Sequence, residues 1–311
     1  MSRSPSSQPL AEPTELERIV AELRALRAQS HQSRYGRAPL PELPSRTATV
    51  DVVDALAAAL FPRHYGPVEL TYDRVDVFVA DTLERAFDAL RRQVRLELEL
   101  TGRGQGGIAV STAADIVTGF ASELPSIRAV LETDIRAAYE GDPAATSIDE
   151  VMCCYPGVTA IIRHRFAHAL YRLGAPMLAR IVAEVAHSTT GIDIHPGAQI
   201  GESFFIDHGT GVVIGQTAIV GKKVRLYQGV TLGARRFELD EHGALAKNYP
   251  RHPIIEDDVV IYAGAAVLGR ITVGRGSTIA GSVWLTHSVP RGSIITQAGA
   301  RRDAFDEAGP I

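Results

Sequence analysis

Side chains suited to acid–base chemistry and to binding charged groups cluster in three short segments of the sequence. The segments are GIDIHPGAQIG around Asp193, IDHGTGVVIGQTA around Asp207 and His208, and YPRHPIIEDD around Arg251 and His252. A carboxylate that holds an imidazole in one tautomer and stabilises its cation makes the histidine an effective general base towards an alcohol. Asp193 and His208 are the candidate pair for this chemistry.

The three segments interrupt a regular pattern in which aliphatic residues occupy every sixth position. The first run is Ile194, Ile200, Ile206, Val212, Ala218, Val224 and Val230, and the second, one residue out of phase, is Ile255, Ile261, Val267, Val273, Ile279 and Leu285. Glycines within both runs disfavour a helix and favour turns. A β-sandwich would show a period of two without fixed sixes. The pattern therefore predicts a hexapeptide-repeat β-helix, a triangular prism whose coils bury their aliphatic residues on one another.

The prism has to position the candidate pair for the pair to act. Three hexapeptides make a coil of about eighteen residues. Asp193 and His208 are fifteen positions apart, so they can fall on adjacent coils near one corner. The stretch between the two runs is expected to be a loop over residues 234–252, whose exit carries Arg251 and His252 to the same face. Another interpretation stays open, in which Asp193 caps a turn and His208 fills a corner.

Helices are predicted before the prism. Between residues 50 and 190 the apolar positions recur at three and four, which predicts an all-helical domain of about six helices. Prolines such as Pro125 and Pro176 are expected between these helices or at their starts. Residues 1–49 are interpreted as a flexible arm that carries one amphipathic helix, residues 191–290 as the β-helix, and residues 291–311 as a C-terminal tail.

The composition excludes several classes of protein. The chain has 311 residues and a net charge of −4, without the basic stripe that binds nucleic acid. Its two cysteines, Cys153 and Cys154, are adjacent and indicate no disulfide framework. The N-terminus has no apolar signal region, and no run of about 18 apolar residues occurs. We therefore expect a cytoplasmic protein without a nucleic-acid or membrane partner.

The three segments, with YQGVTLGA and RHPIIEDDVVIYAGA, resemble the serine O-acetyltransferases, a family of hexapeptide-repeat acyltransferases. The similarity covers roughly residues 130–290 and includes DPAA at Asp142 and the segment HRFAHALYRLG. It implies an α + β fold, with an N-terminal all-helical domain followed by a left-handed parallel β-helix of hexapeptide repeats.

The resemblance also implies an activity. The acetyl group of acetyl-CoA passes directly to the hydroxyl of L-serine, which gives O-acetyl-L-serine and CoA in the first step of cysteine biosynthesis. Acetyl-CoA is then a co-substrate, no cofactor is bound permanently, and no metal is needed. Inhibition by L-cysteine at the serine site is implied in the same way.

Site residues follow from the resemblance position by position. His208 is the general base and Asp193 orients it, while Asp142 and Asp207 hold the serine ammonium. Arg251 and His252 bind the serine carboxylate, for which a planar guanidinium is well suited. The small residues expected to line the CoA groove are Gly233, Ala234, Ala263, Gly264 and Gly281. The sequence departs from the family at Gln216, where a glutamate is common.

Partners are implied by the resemblance as well. The family forms trimers whose active sites lie between neighbouring prisms, and trimers often pair into hexamers through the helical domains. A tail that ends in isoleucine, as here at Ile311, can insert into the active site of O-acetylserine sulfhydrylase. We expect a trimer or a dimer of trimers and consider the sulfhydrylase a candidate partner.

Three alternative functions are retained. A hexapeptide acyltransferase for another acceptor, such as homoserine or a sugar, shares most of the site, and one extra methylene changes binding by only about 1–3 kcal/mol. A zinc lyase of the carbonic-anhydrase type would need three histidines on one metal. The histidines His195, His208 and His252 lack the paired spacing expected for that site. A scaffold without activity is disfavoured by the complete set of site residues.

Overall fold

The structure is a computed structural model that describes residues 14–36, 41–102, 112–247 and 249–297. Residues 1–42 form a unit of their own, whose described part is helix α1 (Glu15–Tyr35). Thr14 and Glu17 form a reciprocal capping box at its start. The apolar residues of the predicted amphipathic stretch lie on α1 and are exposed.

The second unit, residues 43–311, begins with helices. They are α2 (Arg46–Leu60), α3 (Pro62–Tyr65), α4 (Val75–Leu100), α5 (Ala113–Gly141), α6 (Ile148–Cys154), α7 (Pro156–Leu173) and α8 (Pro176–Thr190), with a 3₁₀ turn at Tyr72–Arg74. Side-chain caps begin α2, α5 and α6, and a proline at the first position begins α3, α7 and α8. None of the described helices is long and apolar enough to cross a membrane.

Two features of the helices differ from the sequence prediction. Pro125 lies inside α5 and not at a helix boundary. Leu124 and Ile127 on either side of it are buried, so tertiary packing outweighs the local cost of a proline in a helix. The helix α2 begins at Arg46, within the stretch that the sequence analysis assigned to the arm. The division into domains stays a prediction.

Short parallel strands then build three sheets that wind around one axis. The first sheet contains β1 (Asp193–Ile194), β4 (Val213–Ile214), β7 (Thr231–Gly233), β10 (Ala266–Leu268) and β13 (Trp284–Leu285). The second contains β2 (Gln199–Ile200), β5 (Ile219–Val220), β8 (Ile254–Ile255) and β11 (Thr272–Val273). The third contains β3 (Phe205–Ile206), β6 (Arg225–Leu226), β9 (Val260–Ile261), β12 (Thr278–Ile279) and β14 (Ile294–Ile295). The predicted α + β fold, with helices followed by a left-handed parallel β-helix, is confirmed.

Aliphatic ladders fill the interior of the prism. The ladder of the first sheet is Ile194, Ile214, Leu232, Val267 and Leu285, each in register with the next. The predicted positions Ile194, Ile200 and Ile206 coincide with observed ladder residues, and so does the whole second run. From Val212 to Val230, each predicted position lies two residues before the observed ladder residue. Ile194 pairs with Ile214, so the first coil has 214 − 194 = 20 residues. The longer turn contains His208, and Val212 and Ala218 are buried just before strands.

The segment between β7 and β8 interrupts the winding after Gly233 and before Ile254. Leu239 and Leu245 form an isolated antiparallel bridge within it. The strand β14 lies beyond residue 290, within the stretch assigned to the tail. The end of the tail at Ile311 lies outside the described residues.

A buried ion pair connects the helices to the prism. The guanidinium of Arg165 on α7 binds the carboxylate of Asp134 on α5 through two hydrogen bonds of 2.8 and 3.0 Å. It also donates to the carbonyl oxygens of Ile200 and Gly201 on the first coil. The backbone N–H of Phe204 completes the Asp134 shell. Burial raises the pKa of Asp134, and the Arg165 charge opposes that shift.

We predict that Asp134→Asn lowers the free energy of unfolding by about 3 kcal/mol, because the change leaves the charge of Arg165 buried without a partner. The matched control is Asp88→Asn, whose partner Arg91 lies at the surface, and we expect an effect below about 1 kcal/mol there. Urea unfolding measures both values. Equal losses for the two variants would contradict a structural role for the buried pair.

Candidate active site

The predicted site residues lie at two different corners of the prism. The histidine corner joins the third sheet to the first and comprises residues 207–212 with the stacked turns 227–230, 262–265 and 280–283. The arginine corner joins the first sheet to the second and comprises residues 195–198, 215–218 and 251–253. The two-residue strands of the first sheet separate the corners. Both corners therefore border the same face of the prism.

His208 is presented to solvent at the histidine corner. Its backbone is left-handed, with φ of 55°, a conformation that non-glycine residues adopt rarely and that histidine tolerates better than most. Its side chain is 70% exposed. The Nδ1 atom lies 3.8 Å from Oδ1 of Asp207, which is close enough for electrostatic attraction but longer than a hydrogen bond. The ring is therefore accessible to a bound molecule.

Asp142 adds a second carboxylate near His208. It caps the C-terminus of α5, and its Oδ1 atom accepts a hydrogen bond of 2.8 Å from the N–H of Ala144. The hydroxyl of Tyr155 donates to Oδ2 at 2.5 Å. The Tyr155 hydrogen bond, more than the charge of His208, lowers the pKa of Asp142. Asp142 is therefore held as a carboxylate near His208.

Tyr155 was not identified by the sequence analysis. The carboxylate of Asp142 raises the pKa of the Tyr155 phenol to about 12, so Tyr155 remains a hydrogen-bond donor at neutral pH. The residue is the N-cap of α7, directly before Pro156. The sequence did contain a signal for Tyr155, because this tyrosine directly precedes a proline that begins a helix and lies thirteen residues after Asp142.

Asp193 begins β1 and is in register with Val213. Within the described chain, no hydrogen bond or ion pair joins Asp193 to His208. The side chain is partly exposed on the outer side of the first sheet, while Ile194 points inwards. The pairing of Asp193 with His208 stays a prediction.

A column of residues without bulky side chains runs along the histidine corner above His208. Gly211, Gly229, Gly264 and Ser282 stack on one another with φ between 57° and 79°. The left-handed turn favours glycine at each level. Ala263, Gly264 and Gly281 of the predicted CoA groove lie at this corner, whereas Gly233 and Ala234 lie at the opposite edge of the first sheet. The column itself offers backbone without bulky side chains, and the stacked rings of Tyr227 and Tyr262 lie at the same corner.

His252 is fixed at the arginine corner. The backbone N–H of Thr217 donates to Nδ1 of His252 at 3.1 Å, so the ring proton is on Nε2. The ring occupies the space that a side chain at Gly215 would fill. Burial lowers the pKa of His252 to about 4. His252 is thus a neutral hydrogen-bond donor at physiological pH.

Arg251 and Arg270 carry permanent charges at the arginine corner, where Arg270 donates to the carbonyl oxygens of Thr217 and His252. The backbone N–H of Arg251 donates to Oγ1 of Thr217 at 2.9 Å, and its guanidinium donates to Oε1 of Gln216 at 2.8 Å. No carboxylate of the described chain lies within ion-pair distance of this guanidinium. The sequence analysis missed Thr217, which follows Gln216 in a turn and had no catalytic signature.

The three histidines considered for zinc do not converge. His195 and His252 lie at the arginine corner and His208 lies at the histidine corner. Burial lowers the pKa of His195 to about 4. In the described residues, no group of three or more His, Cys, Asp or Glu side chains is placed to hold a metal ion.

A cavity of about 600 Å³ lies between α5 and the turns that join the second sheet to the third. Arg136, Lys223 and Arg225 line it together with Glu132 and Glu140. It contains none of the predicted site residues.

Comparison with known proteins gives consistent relatives, although no family model matches the chain. A plasmid serine acetyltransferase of Synechococcus elongatus is 56% identical over 275 residues, which cover 86% of this chain and 86% of that protein. The serine acetyltransferase of Bacillus subtilis is 48% identical over 185 residues, which cover 56% of this chain and 81% of that protein.

Solved structures agree with the sequence relatives. Serine acetyltransferase 1 of Entamoeba histolytica in complex with L-cysteine is 34% identical, with a TM-score of 0.70, over 90% of this chain and 97% of that chain. Soybean serine acetyltransferase complexed with serine is 27% identical, with a TM-score of 0.52, over 83% of this chain and 96% of that chain. Both the identity and the coverage of the Synechococcus relative show that this chain belongs to the serine acetyltransferase family.

Proposed function

We propose that this chain acetylates L-serine by direct transfer from acetyl-CoA, with His208 as the general base. The observation that carries the mechanism is the placement of an exposed imidazole beside two carboxylates, Asp142 and Asp207, at the edge of a face whose other edge holds Arg251. An amino acid needs an anionic site for its ammonium, a cationic site for its carboxylate and a base for its hydroxyl. The two corners supply these three functions.

The reaction needs one proton acceptor and no covalent enzyme intermediate. The imidazole of His208 removes the proton from the serine Oγ as this oxygen attacks the thioester carbon. The new C–O bond forms, the C–S bond breaks, and CoA leaves as a thiolate that takes the proton from the His208 imidazolium. The exposed position of His208 gives both the hydroxyl and the sulfur access to the same ring.

The serine ammonium binds at the histidine corner. The carboxylates of Asp142 and Asp207 approach His208 from the helices and from the prism, respectively, and an ammonium has three donors to share between them. Tyr155 keeps Asp142 charged and correctly oriented. The departing proton of the hydroxyl thus moves next to groups that stabilise positive charge on His208.

The serine carboxylate binds at the arginine corner. Arg251 supplies the charge and a planar pair of donors, and His252 supplies Nε2–H as a neutral donor. The fixed tautomer of His252, set by the N–H of Thr217, supports this assignment. A sugar acceptor would leave the charge of Arg251 without a partner, so the arginine corner favours an amino acid.

Acetyl-CoA lies along the bare column of the histidine corner in this proposal. Ala263, Gly264 and Gly281 leave room for the pantetheine arm to approach the backbone. Gly233 and Ala234 border the same face from its other edge. Because the column leads to His208, acetyl-CoA bound along it places its thioester next to this general base.

The position of the two corners supports a site shared between copies of the chain. Within one chain the histidine and arginine corners are separated by the first sheet, and no contact joins His208 to Arg251 in the described residues. A neighbouring prism that places its arginine corner against the histidine corner completes the site. A trimer provides three such contacts by rotation, and a dimer of trimers is compatible with them.

An acceptor panel tests the proposed function most broadly. Release of free CoA thiol from acetyl-CoA is followed with L-serine, L-homoserine, glycerol and glucose as acceptors. We expect L-serine to give the highest kcat/KM, with homoserine behind it by the roughly tenfold that one methylene allows. A preference for homoserine would establish the alternative acyltransferase, and equal rates with all acceptors would contradict the amino-acid site.

We predict that His208→Ala lowers kcat at least about a hundredfold, because removal of a positioned general base costs 10²–10⁴ in rate. His187→Ala, an exposed histidine at the end of α8, is the matched control and should retain full activity. Thiol release at saturating L-serine gives both values. Near-normal turnover by His208→Ala would remove this residue from the mechanism.

We predict that His252 makes the free energy of unfolding depend on pH in the acidic range. Its folded pKa of about 4 lies below the unfolded value of about 6.5. Between these two pH values the unfolded chain therefore binds more protons than the folded chain. The stabilising contribution of His252 to the free energy of unfolding is fully present above pH 6.5 and is lost as the pH falls towards 4. The free energy of unfolding should fall by up to about 1.4 kcal/mol per pH unit for this one proton.

The variant His252→Asn isolates this effect. Urea unfolding at half-unit steps from pH 7 to pH 4.5 should give a steeper decline for the unmodified protein than for the variant. Parallel curves for the two proteins would show that His252 is not held neutral by the fold. The same result would remove the argument for His252 as a neutral donor.

A further inference from the structure

We propose that the cavity beside α5 is a second ligand site, which binds a small phosphorylated metabolite apart from the proposed active site. Its volume of about 600 Å³ lies within the range of about 300–1,000 Å³ that is usual for small-molecule pockets. One wall is α5, and the other is formed by the first two coils where the second sheet turns into the third. The inference does not depend on the proposed function.

Three cationic side chains line the cavity. Arg136 lies on α5, while Lys223 and Arg225 lie on the second coil of the prism. Within the described residues, none of these three side chains takes part in an ion pair or a hydrogen bond. A guanidinium offers a planar pair of donors and an ammonium offers three, and both groups bind phosphate oxygens. Their donors are therefore available to an anion.

Arg225 is held in position although it has no counter-ion. Its guanidinium carbon lies 5.5 Å from the centroid of the Phe205 ring, within the distance of cation–π attraction. A Cβ atom added at Gly141 would lie 2.6 Å from its Nη2 atom, so the end of α5 packs directly against the guanidinium. Its charge also acts on Asp142, but no ion pair joins the two residues. A cation positioned in this way loses little side-chain freedom when it binds a phosphate.

Two carboxylates line the same cavity, and they do not cancel the three cations. Glu132 forms an ion pair with Arg128, one turn earlier on α5, so its charge is already balanced. Glu140 has no ion pair in the part of the chain that the structure describes. The three cations therefore face one uncompensated carboxylate. This excess of positive charge suits a phosphate monoester, which carries about −1.5 to −2 charges at pH 7.

The size and the apolar wall of the cavity indicate a ligand larger than a phosphate ion. Ala137, Phe205 and Val224 contribute apolar groups to the lining. The volume of about 600 Å³ is many times the volume of about 30 Å³ that one water molecule occupies in the liquid. A carbon skeleton can therefore lie beside the apolar wall while its phosphate group contacts the cations.

Titration of the full chain with inorganic phosphate tests the charge requirement, because phosphate is the smallest probe that carries it. Binding is followed by the ³¹P line width at constant ionic strength. We expect saturable binding that Lys223→Gln and Arg136→Gln each weaken at least about tenfold, because each removes a charge-assisted hydrogen bond. The matched control is Lys222→Gln, which should leave the dissociation constant unchanged. Lys222 is paired with Glu202 and does not line the cavity.

The two variants differ in their demands on folding. Lys223 has a left-handed backbone with φ of 56°, whereas Arg136 is exposed on α5. Arg136→Gln therefore gives the result if Lys223→Gln fails to fold. Equal phosphate affinity for Arg136→Gln and the unmodified chain would overturn the proposal.

CoA distinguishes the cavity from a site for the phosphates of the co-substrate. We expect the phosphate dissociation constant to stay the same in saturating CoA, and the CoA dissociation constant to be the same for Arg136→Gln and the unmodified chain. Displacement of phosphate by CoA, or weaker CoA binding by Arg136→Gln, would overturn a separate site. An unmodified chain that binds phosphate at the cavity but does not bind CoA would support the second site and count against the proposed function alone.

Discussion

Hydrogen bonding between successive coils is the constraint on which the molecule depends. Each turn donates to the turn below it, as when the N–H of Gly229 donates to the carbonyl oxygen of Thr210 and that of Gly264 to Gln228. Parallel strands only two or three residues long cannot stand alone, so register is fixed by stacking. Stacking decides which residues share a corner. Residues therefore share a site when the coils place them at the same corner, whatever their distance along the sequence.

Electrostatics at the two corners complement each other. The histidine corner brings the carboxylates Asp142 and Asp207 near His208. At the arginine corner the histidines are held neutral, and no carboxylate of the described residues forms an ion pair with the Arg251 guanidinium. In the proposed shared site, a zwitterionic acceptor lies between these opposite charges. Burial lowers the pKa of His195 and of His252, so Arg251 and Arg270 carry the positive charge of this corner near neutral pH.

The sequence predicted the repeat because its physical cause, one buried aliphatic residue per six, is local. It placed the ladder wrongly between Val212 and Val230 because the turn at His208 contains two more residues than the repeat requires, and no hydrophobic signal marks such an insertion. Pro125 was misplaced because packing on both sides of α5 overrides the cost of a proline. The charged residues predicted for the site stand out by their chemistry, whereas Tyr155 and Thr217 support other side chains through hydrogen bonds. Such supporting residues do not occur at a regular spacing that would identify them in the sequence.

We propose that one active site is built from the histidine corner of one chain and the arginine corner of another. Co-expression of His208→Ala chains with Arg251→Gln chains tests it directly, because mixed oligomers contain interfaces in which both residues are intact. We expect each variant alone to be nearly inactive and the purified mixed oligomer to regain a substantial fraction of the unmodified thiol release. Mixed oligomers as inactive as their parents would show that His208 and Arg251 must belong to the same chain.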